Sequence, residues 1–203
     1  MNICSSLILP AIIGYFIGSV NFALVFSFIC KKQDIRHYGS TNAGMTNTMR
    51  VYGFLAGILV FIGDFTKGII TIYLFHLLFS NYSLYNKYGY LIASLTIIIG
   101  HLYPIYFKFR GGKGVATSAG IILAQDIRLF IIFFSVFITV LLLSKIVSLA
   151  SITSIISYPI ATIIFFKSYA LIIFSIIISA LIVFAHRKNI TRLINHTEVK
   201  IFK

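Results

Sequence analysis

The chain has 203 residues, 59% of them hydrophobic and only 10% charged, with a mean hydropathy of +1.00. That composition lies outside the range of soluble globular domains and reads as an all-α integral membrane protein, with no room for a separate soluble domain. Seventeen Lys and Arg against four acids give a formal net charge of +13; because the basic residues gather in a few loops, they point to membrane orientation and anionic substrates, and no nucleic-acid partner is expected.

A crossing takes roughly 20 apolar residues for about 30 Å of hydrocarbon. Apolar segments fall at 5–30, 53–80, 88–107, 114–124, 128–144, 147–166 and 168–185, the fourth and seventh short for a full crossing. About seven transmembrane helices are therefore expected, or five if short neighbours merge. The first segment lacks a basic leader and a small-residue cleavage site, so it reads as a retained span rather than a signal peptide. Cys4 and Cys30 flank that span and cannot meet, so no disulfide follows. In the second segment Asp64 and Lys67 stand three apart, within reach on a helix, and are expected to neutralise each other. Asp126 and Arg128 mark a turn on the outer side. Lys31, Lys32, Arg36 and Arg50 fall in the first loop, Lys108, Arg110 and Lys113 in the third, and Arg187, Lys188, Arg192, Lys200 and Lys203 at the C-terminus, whereas the loop at 81–87 holds only Lys87. The positive-inside rule then sets the first and third loops and the C-terminal tail in the cytoplasm and the N-terminus outside.

The same three cytoplasmic segments mix basic, glycine and small polar residues. In Arg110-Gly111-Gly112-Lys113-Gly114-Val115, the glycines let the backbone approach a ligand, Lys113 adds charge, and the residues that follow read as a helix N-terminus, which favours phosphate. It is not a P-loop: Phe107 stands where the first glycine belongs, and Gly114 follows the lysine in place of Ser or Thr. From Ser40 to Arg50 the first loop offers hydroxyls and amides (Ser40, Asn42, Thr46, Asn47) and ends in an arginine suited to bidentate phosphate contact. At the C-terminus His186 and Asn189 share a helix face, with Arg192 near it. No histidine is followed five positions later by aspartate, no aspartate by glycine, and carboxylates are too few for a two-metal site. No metal or cofactor is expected.

Together these segments resemble the bacterial acyl-phosphate:glycerol-3-phosphate acyltransferase family, PlsY, which carries three cytoplasmic motifs. The first is matched by Asp34-Ile35-Arg36-His37-Tyr38-Gly39-Ser40-x-Asn42-x-Gly44-x-Thr46-Asn47-x-x-Arg50. The second is matched by Gly100-His101-x-x-Pro104 with Phe109-Arg110-Gly111-Gly112-Lys113-Gly114-Val115-Ala116-Thr117, and the third by His186-Arg187-x-Asn189-Ile190-x-Arg192-Leu193 with Thr197-Glu198. Asp64-x-x-Lys67-Gly68 and the run Val147 to Ile152 are also similar to family sequence. Thr41 and Met45 stand where the family more often has Gly and Ala, and His196 replaces the usual Gly before Thr197-Glu198, which puts the turn at Glu198 in question.

The resemblance implies a single membrane-embedded acyltransferase domain over residues 1–203, a monomer in the bacterial plasma membrane with its active site at the cytoplasmic face. It implies transfer of a fatty acyl group from acyl phosphate to the 1-hydroxyl of glycerol 3-phosphate, giving lysophosphatidic acid and phosphate, with no covalent acyl-enzyme. Ser40, Thr46, Gly111, Gly112, Ser151, His186 and Asn189 would meet the phosphate of the donor, and Asn42, Arg50 and Lys113 would hold glycerol 3-phosphate. Asn47, Gly114, Arg192 and Glu198 complete the substrate-binding set, with Ser40, Thr46, Lys113, His186 and Asn189 as its catalytic members. The alternative from another class is a small organic-phosphate transporter, which predicts inverted symmetry between the two halves.

Overall fold

The computed structural model describes residues 7–81 and 88–201. Cys4, Lys87 and Lys203 lie outside the described residues. Among the described residues the chain is helical, with no strand: α1 (Leu9–Gly18), α2 (Phe22–Lys31), α3 (Met45–Tyr52), α4 (Phe54–Phe79), α5 (Tyr90–Leu102), α6 (Val115–Gln125), α7 (Ile127–Ser144), α8 (Val147–Phe165), α9 (Tyr169–Ala185) and α10 (Arg187–Ile194). Four helical stretches are long and apolar enough to cross a membrane, and six when each of two bent pairs, α1 with α2 and α9 with α10, counts as one span. The expected fourth span is the 11-residue α6, about 16 Å long at 1.5 Å per residue and so short of the hydrocarbon thickness. The chain divides into two compact units, one up to Ala124 and one from Gln125.

In the first unit α1 meets α5 through small residues. A Cβ on Gly18 would stand 2.1 Å from the carbonyl oxygen of Ile97, and one on Gly100 2.3 Å from that of Tyr15. Only glycine permits this backbone approach, the usual means by which helices associate in lipid. Between α1 and α2 the first span breaks and bends by 41°, exposing helix-end carbonyl and N–H groups that hydrocarbon cannot satisfy. The polar groups of the break are met from three sides. Lys67 donates to the carbonyls of Gly18 (3.1 Å) and Val20 (2.7 Å). Asp64 accepts from the N–H of Phe22 (3.4 Å), and Asn21 caps α2 by accepting from the N–H of Leu24 (3.0 Å). A cation thus serves the C-terminal end of α1 and an anion the N-terminal end of α2, as the helix dipoles favour. The two are 2.9 Å apart, the expected mutual neutralisation, with holding the broken span as an added role.

In the second unit Asp126 caps α7 by accepting from the N–H of Arg128 (2.8 Å). It pairs with the Arg128 guanidinium at 2.8 Å, which also lies over the rings of Phe165 and Phe166 at 5.3 Å each. The expected turn is therefore built as a cap. Pro159 lies inside α8 and removes the N–H that would bond the carbonyl of Ile155. The hydroxyl of Ser179, on α9, donates to that carbonyl at 2.8 Å, so the proline leaves no unmet group in the apolar interior.

Candidate functional site

Within the first unit, the loop after α2 and the glycine loop before α6 are tied together by Arg36. Asp34 accepts from the Arg36 backbone N–H (2.9 Å) and grips its guanidinium at 2.6–3.1 Å. The hydrogen bond from Arg36 holds the Asp34 carboxyl below the usual carboxylate range. With its orientation fixed, Arg36 donates through one nitrogen to the carbonyls of Phe107 and Arg110, each at 2.8 Å. Asn47 is buried, and its side-chain oxygen accepts from the N–H of Ser40 (2.7 Å) while its amide donates to the carbonyls of Ile35 (3.2 Å) and Tyr38 (3.0 Å). Its polar atoms therefore shape the loop that carries Ser40. Asn42 precedes α3, which bears Thr46 and, one turn on, Arg50; the Arg50 side chain is exposed.

The glycine loop is pinned from behind. The N–H of Gly111 donates to the carbonyl of Leu102 (3.0 Å) and that of Gly112 to the carbonyl of His101 (3.1 Å), so these two amides cap the end of α5. What the pair contributes is a tight seam, since a Cβ on Gly112 would stand 2.3 Å from His101 Nε2 and 2.4 Å from the carbonyl oxygen of Ala43. Gly114 then turns the chain at φ +82° into α6. Lys113 is thereby delivered, half-buried, beside the first turn of α6, whose N–H groups have no carbonyl four residues back within the helix.

Behind this seam lies a buried polar cluster. Lys67 Nζ is 2.9 Å from His101 Nδ1, Asp64 is 3.4 Å from the same nitrogen, and so is Thr117 Oγ1. Nε2 on the other edge of the ring is the nitrogen facing Gly112.

Within the second unit the organising group is Glu198. One carboxylate oxygen accepts from Ser148 (2.8 Å) and from the Asn189 amide (2.7 Å), and the other from Arg192 Nε (2.6 Å). Burial pushes this carboxyl up, but the hydrogen bonds from Arg192, Asn189 and Ser148 outweigh it and hold it below the ordinary value. The turn before it is intact: His196 takes up the left-handed conformation at φ +56°, and the N–H of Thr197 donates to the carbonyl of Arg192 (2.8 Å). Glu198 and Arg192 therefore engage each other and fix Asn189. His186 is 2% exposed at the 62° bend between α9 and α10. Its Nδ1 lies 2.8 Å from the carbonyl of Ile182; a carbonyl only accepts, so Nδ1 carries the proton of this contact. Ser151 is buried near the start of α8 and donates to the carbonyl of Val147 (2.9 Å).

The first unit thus unites the expected first and second segments, and the second unit unites Ser151's helix with His186, Asn189, Arg192 and Glu198. Arg36, Asp64, Lys67 and His101 hold more of this arrangement than sequence reasoning gave them. The signal was present for Arg36, an arginine two residues from an aspartate in a basic loop, but not for His101, whose partners lie on other elements.

A sequence model of the glycerol-3-phosphate acyltransferase family matches residues 8–196. The chain is 42% identical over 194 residues to a glycerol-3-phosphate acyltransferase of Thermoanaerobacter sp., covering 96% of this chain and 95% of the relative. It is 40% identical over 199 residues to that of Finegoldia magna, covering 97% of each. Among solved structures it is similar to PlsY, an integral membrane glycerol 3-phosphate acyltransferase. The glycerol 3-phosphate form superposes with a TM-score of 0.88 at 35% identity over 96% of this chain and 94% of that one. The lysophosphatidic acid form gives 0.84 at 34% identity over 95% and 94%.

Proposed function

Because the chain belongs to the glycerol-3-phosphate acyltransferase family, we propose that it transfers a fatty acyl group from acyl phosphate to the 1-hydroxyl of glycerol 3-phosphate. The observation that carries this reading is the likeness, over 96% of the chain, to a transferase crystallised with glycerol 3-phosphate, together with a pinned glycine loop that delivers Lys113 to the N-terminus of α6. Acyl phosphate is a mixed anhydride and already activated, so the reaction calls for neither a metal nor a covalent acyl-enzyme. The hydroxyl oxygen attacks the acyl carbon, the bond from that carbon to the phosphate oxygen breaks, and the hydroxyl proton leaves with the phosphate. The products are 1-acylglycerol 3-phosphate, which is lysophosphatidic acid, and inorganic phosphate.

In this reading Asn42, Arg50 and Lys113 hold glycerol 3-phosphate through charge and hydrogen bonds, and Ser40 and Thr46 present hydroxyls to the donor phosphate. Gly111 and Gly112 admit close approach, and the N–H groups at Gly114 and the start of α6 supply the positive end of a helix. Of the residues after Gln125, Ser151, His186 and Asn189 act on the donor. His186 donates to its phosphate and is the rival to that phosphate as acceptor of the hydroxyl proton. Asn47, Arg192 and Glu198 act one step back, holding Ser40 and Asn189. Rate enhancement comes from positioning and from stabilising the developing oxyanion. The chain acts as one multi-pass catalytic domain, a monomer in the bacterial plasma membrane. Its basic loops and C-terminus face the cytoplasm, with α6 as the short fourth crossing.

The test is phosphate release by purified protein in detergent, given palmitoyl phosphate and glycerol 3-phosphate without added metal. Release should depend on glycerol 3-phosphate and vanish in Lys113→Ala. Accumulation of glycerol 3-phosphate in proteoliposomes, with no release, would replace the transferase by a transporter.

A further inference from the structure

We infer that His101 is a positioning residue for the glycerol 3-phosphate site: its ring transmits the fixed position of the Asp64–Lys67 pair to Gly112, and so sets where Lys113 and the start of α6 stand. The inference rests on the reading above that Lys113 holds glycerol 3-phosphate, and it concerns a residue that touches no substrate.

Three observations carry it. First, His101 is 3% exposed and held at Nδ1, which faces Lys67 at 2.9 Å and Asp64 and Thr117 at 3.4 Å. Those partners are themselves fixed, Lys67 by the carbonyls of Gly18 and Val20 and Asp64 by Lys67. Thr117 belongs to α6, the helix that the glycine loop leads into. Second, the opposite edge of the ring abuts the loop, with Nε2 and Cε1 being 2.3 and 3.1 Å from where a Gly112 Cβ would stand. Third, the backbone of the same residue accepts the Gly112 N–H at 3.1 Å. One residue therefore grips Gly112 by its carbonyl and backs it with its ring, one position before Lys113. A buried histidine that only satisfied the charge pair would need neither the ring contact nor its alignment with the loop.

His101→Asn separates the two roles. An asparagine reaches the Nδ1 position and keeps an acceptor for Lys67, but it has nothing where Nε2 and Cε1 back Gly112. The expected result is a folded enzyme whose KM for glycerol 3-phosphate rises about tenfold while the KM for palmitoyl phosphate changes less than about threefold. His101→Gln carries a nitrogen out to the Nε2 position but has no polar atom where Nδ1 meets Lys67, so it keeps the backing without the tie and should recover only part of that rise. The inference is overturned if His101→Asn leaves the glycerol 3-phosphate KM unchanged, raises both KM values alike, lowers kcat alone, or fails to fold; the last would mean that the buried tie is all His101 supplies. A His101→Gln enzyme that recovers the whole rise would remove the tie to the Asp64–Lys67 pair from the account. Phosphate release by the wild type that ignores glycerol 3-phosphate would sink the proposed function and this inference together. Dependence in the wild type with no selective shift in His101→Asn sinks the inference alone.

Discussion

The two units secure their polar segments by opposite means. Up to Ala124 the anchors are cations that collect backbone carbonyls: Lys67 takes those of Gly18 and Val20, and Arg36 those of Phe107 and Arg110, each cation steadied by an aspartate. From Gln125 onward the anchor is an anion that collects side chains, Glu198 with Ser148, Asn189 and Arg192. The difference follows from what each must hold. A broken span and a glycine loop expose helix-end carbonyls, which only donors satisfy. The bend after α9 instead carries donor side chains, which an acceptor gathers. Each arrangement contains a carboxyl held below its ordinary range, Asp34 in the first and Glu198 in the second, so both should be sensitive to substitution and to acid.

The largest effect should come from Lys67→Met. It leaves Asp64, 2% exposed, as a buried charge without its cation and strips two carbonyls of their donor. Breaking a buried pair from one side costs about 3–5 kcal/mol, so little folded protein should survive extraction, as read by gel filtration and thermal unfolding in detergent. Lys67→Met with Asp64→Asn should recover part of the loss; no recovery would mean that the carbonyls, rather than the charge, decide.

A smaller effect is expected from Glu198→Gln. The amide can still accept from Ser148 and Asn189 but sets a donor against Arg192 Nε, for a loss of about 2 kcal/mol. It should carry a pH signature of its own. A carboxyl lowered in the folded state contributes stability above its ordinary pKa and loses it as pH falls through the lowered value. The gap between wild type and Glu198→Gln in unfolding midpoint should thus be full at neutral pH and close on acidification below the carboxylate range. A gap that stays constant would assign the loss to packing and not to charge.

How far this was legible in the sequence depends on where each partner sits. Asp64 and Lys67 announce themselves because charges inside an apolar run need a partner, and a spacing of three supplies one. The three loops stand out because glycine, hydroxyl and basic residues are rare elsewhere in the chain. The two carbonyls held by Lys67 were not legible, since they belong to a helix break 47 and 49 positions away. Nor was the fate of the amides of Gly111 and Gly112, residues expected to meet the donor phosphate: α5 ends there with unmet carbonyls, and the nearest donors take them first. Asn47 was expected to face substrate for its amide, yet the loop around it turns tightly enough to need that amide itself. Against the expected five to seven crossings the described residues hold four to six candidate spans, because runs of apolar residues do not reveal where a helix breaks and is repaired.

The two departures from the family pattern that bear on backbone shape are the subtlest handle on the comparison, one in each arrangement. Thr41 has φ +61° and His196 φ +56°, so both occupy the left-handed region at positions where the resembled family more often has glycine. Both side chains are exposed, and neither substitution by glycine gives up core packing. A left-handed residue with a Cβ costs about 1–2 kcal/mol, and glycine returns part of that through its greater freedom in the unfolded chain. Thr41→Gly and His196→Gly should each stabilise by about 0.5–1 kcal/mol. Threonine, being β-branched, is the less tolerant of the two in this region, so Thr41→Gly should give the larger rise in unfolding temperature. The reverse order would mean that the turn before Glu198 carries strain beyond its own φ. The acid-centred arrangement would then be drawing His196 into place, and His196→Gly should lose its advantage in a Glu198→Gln background.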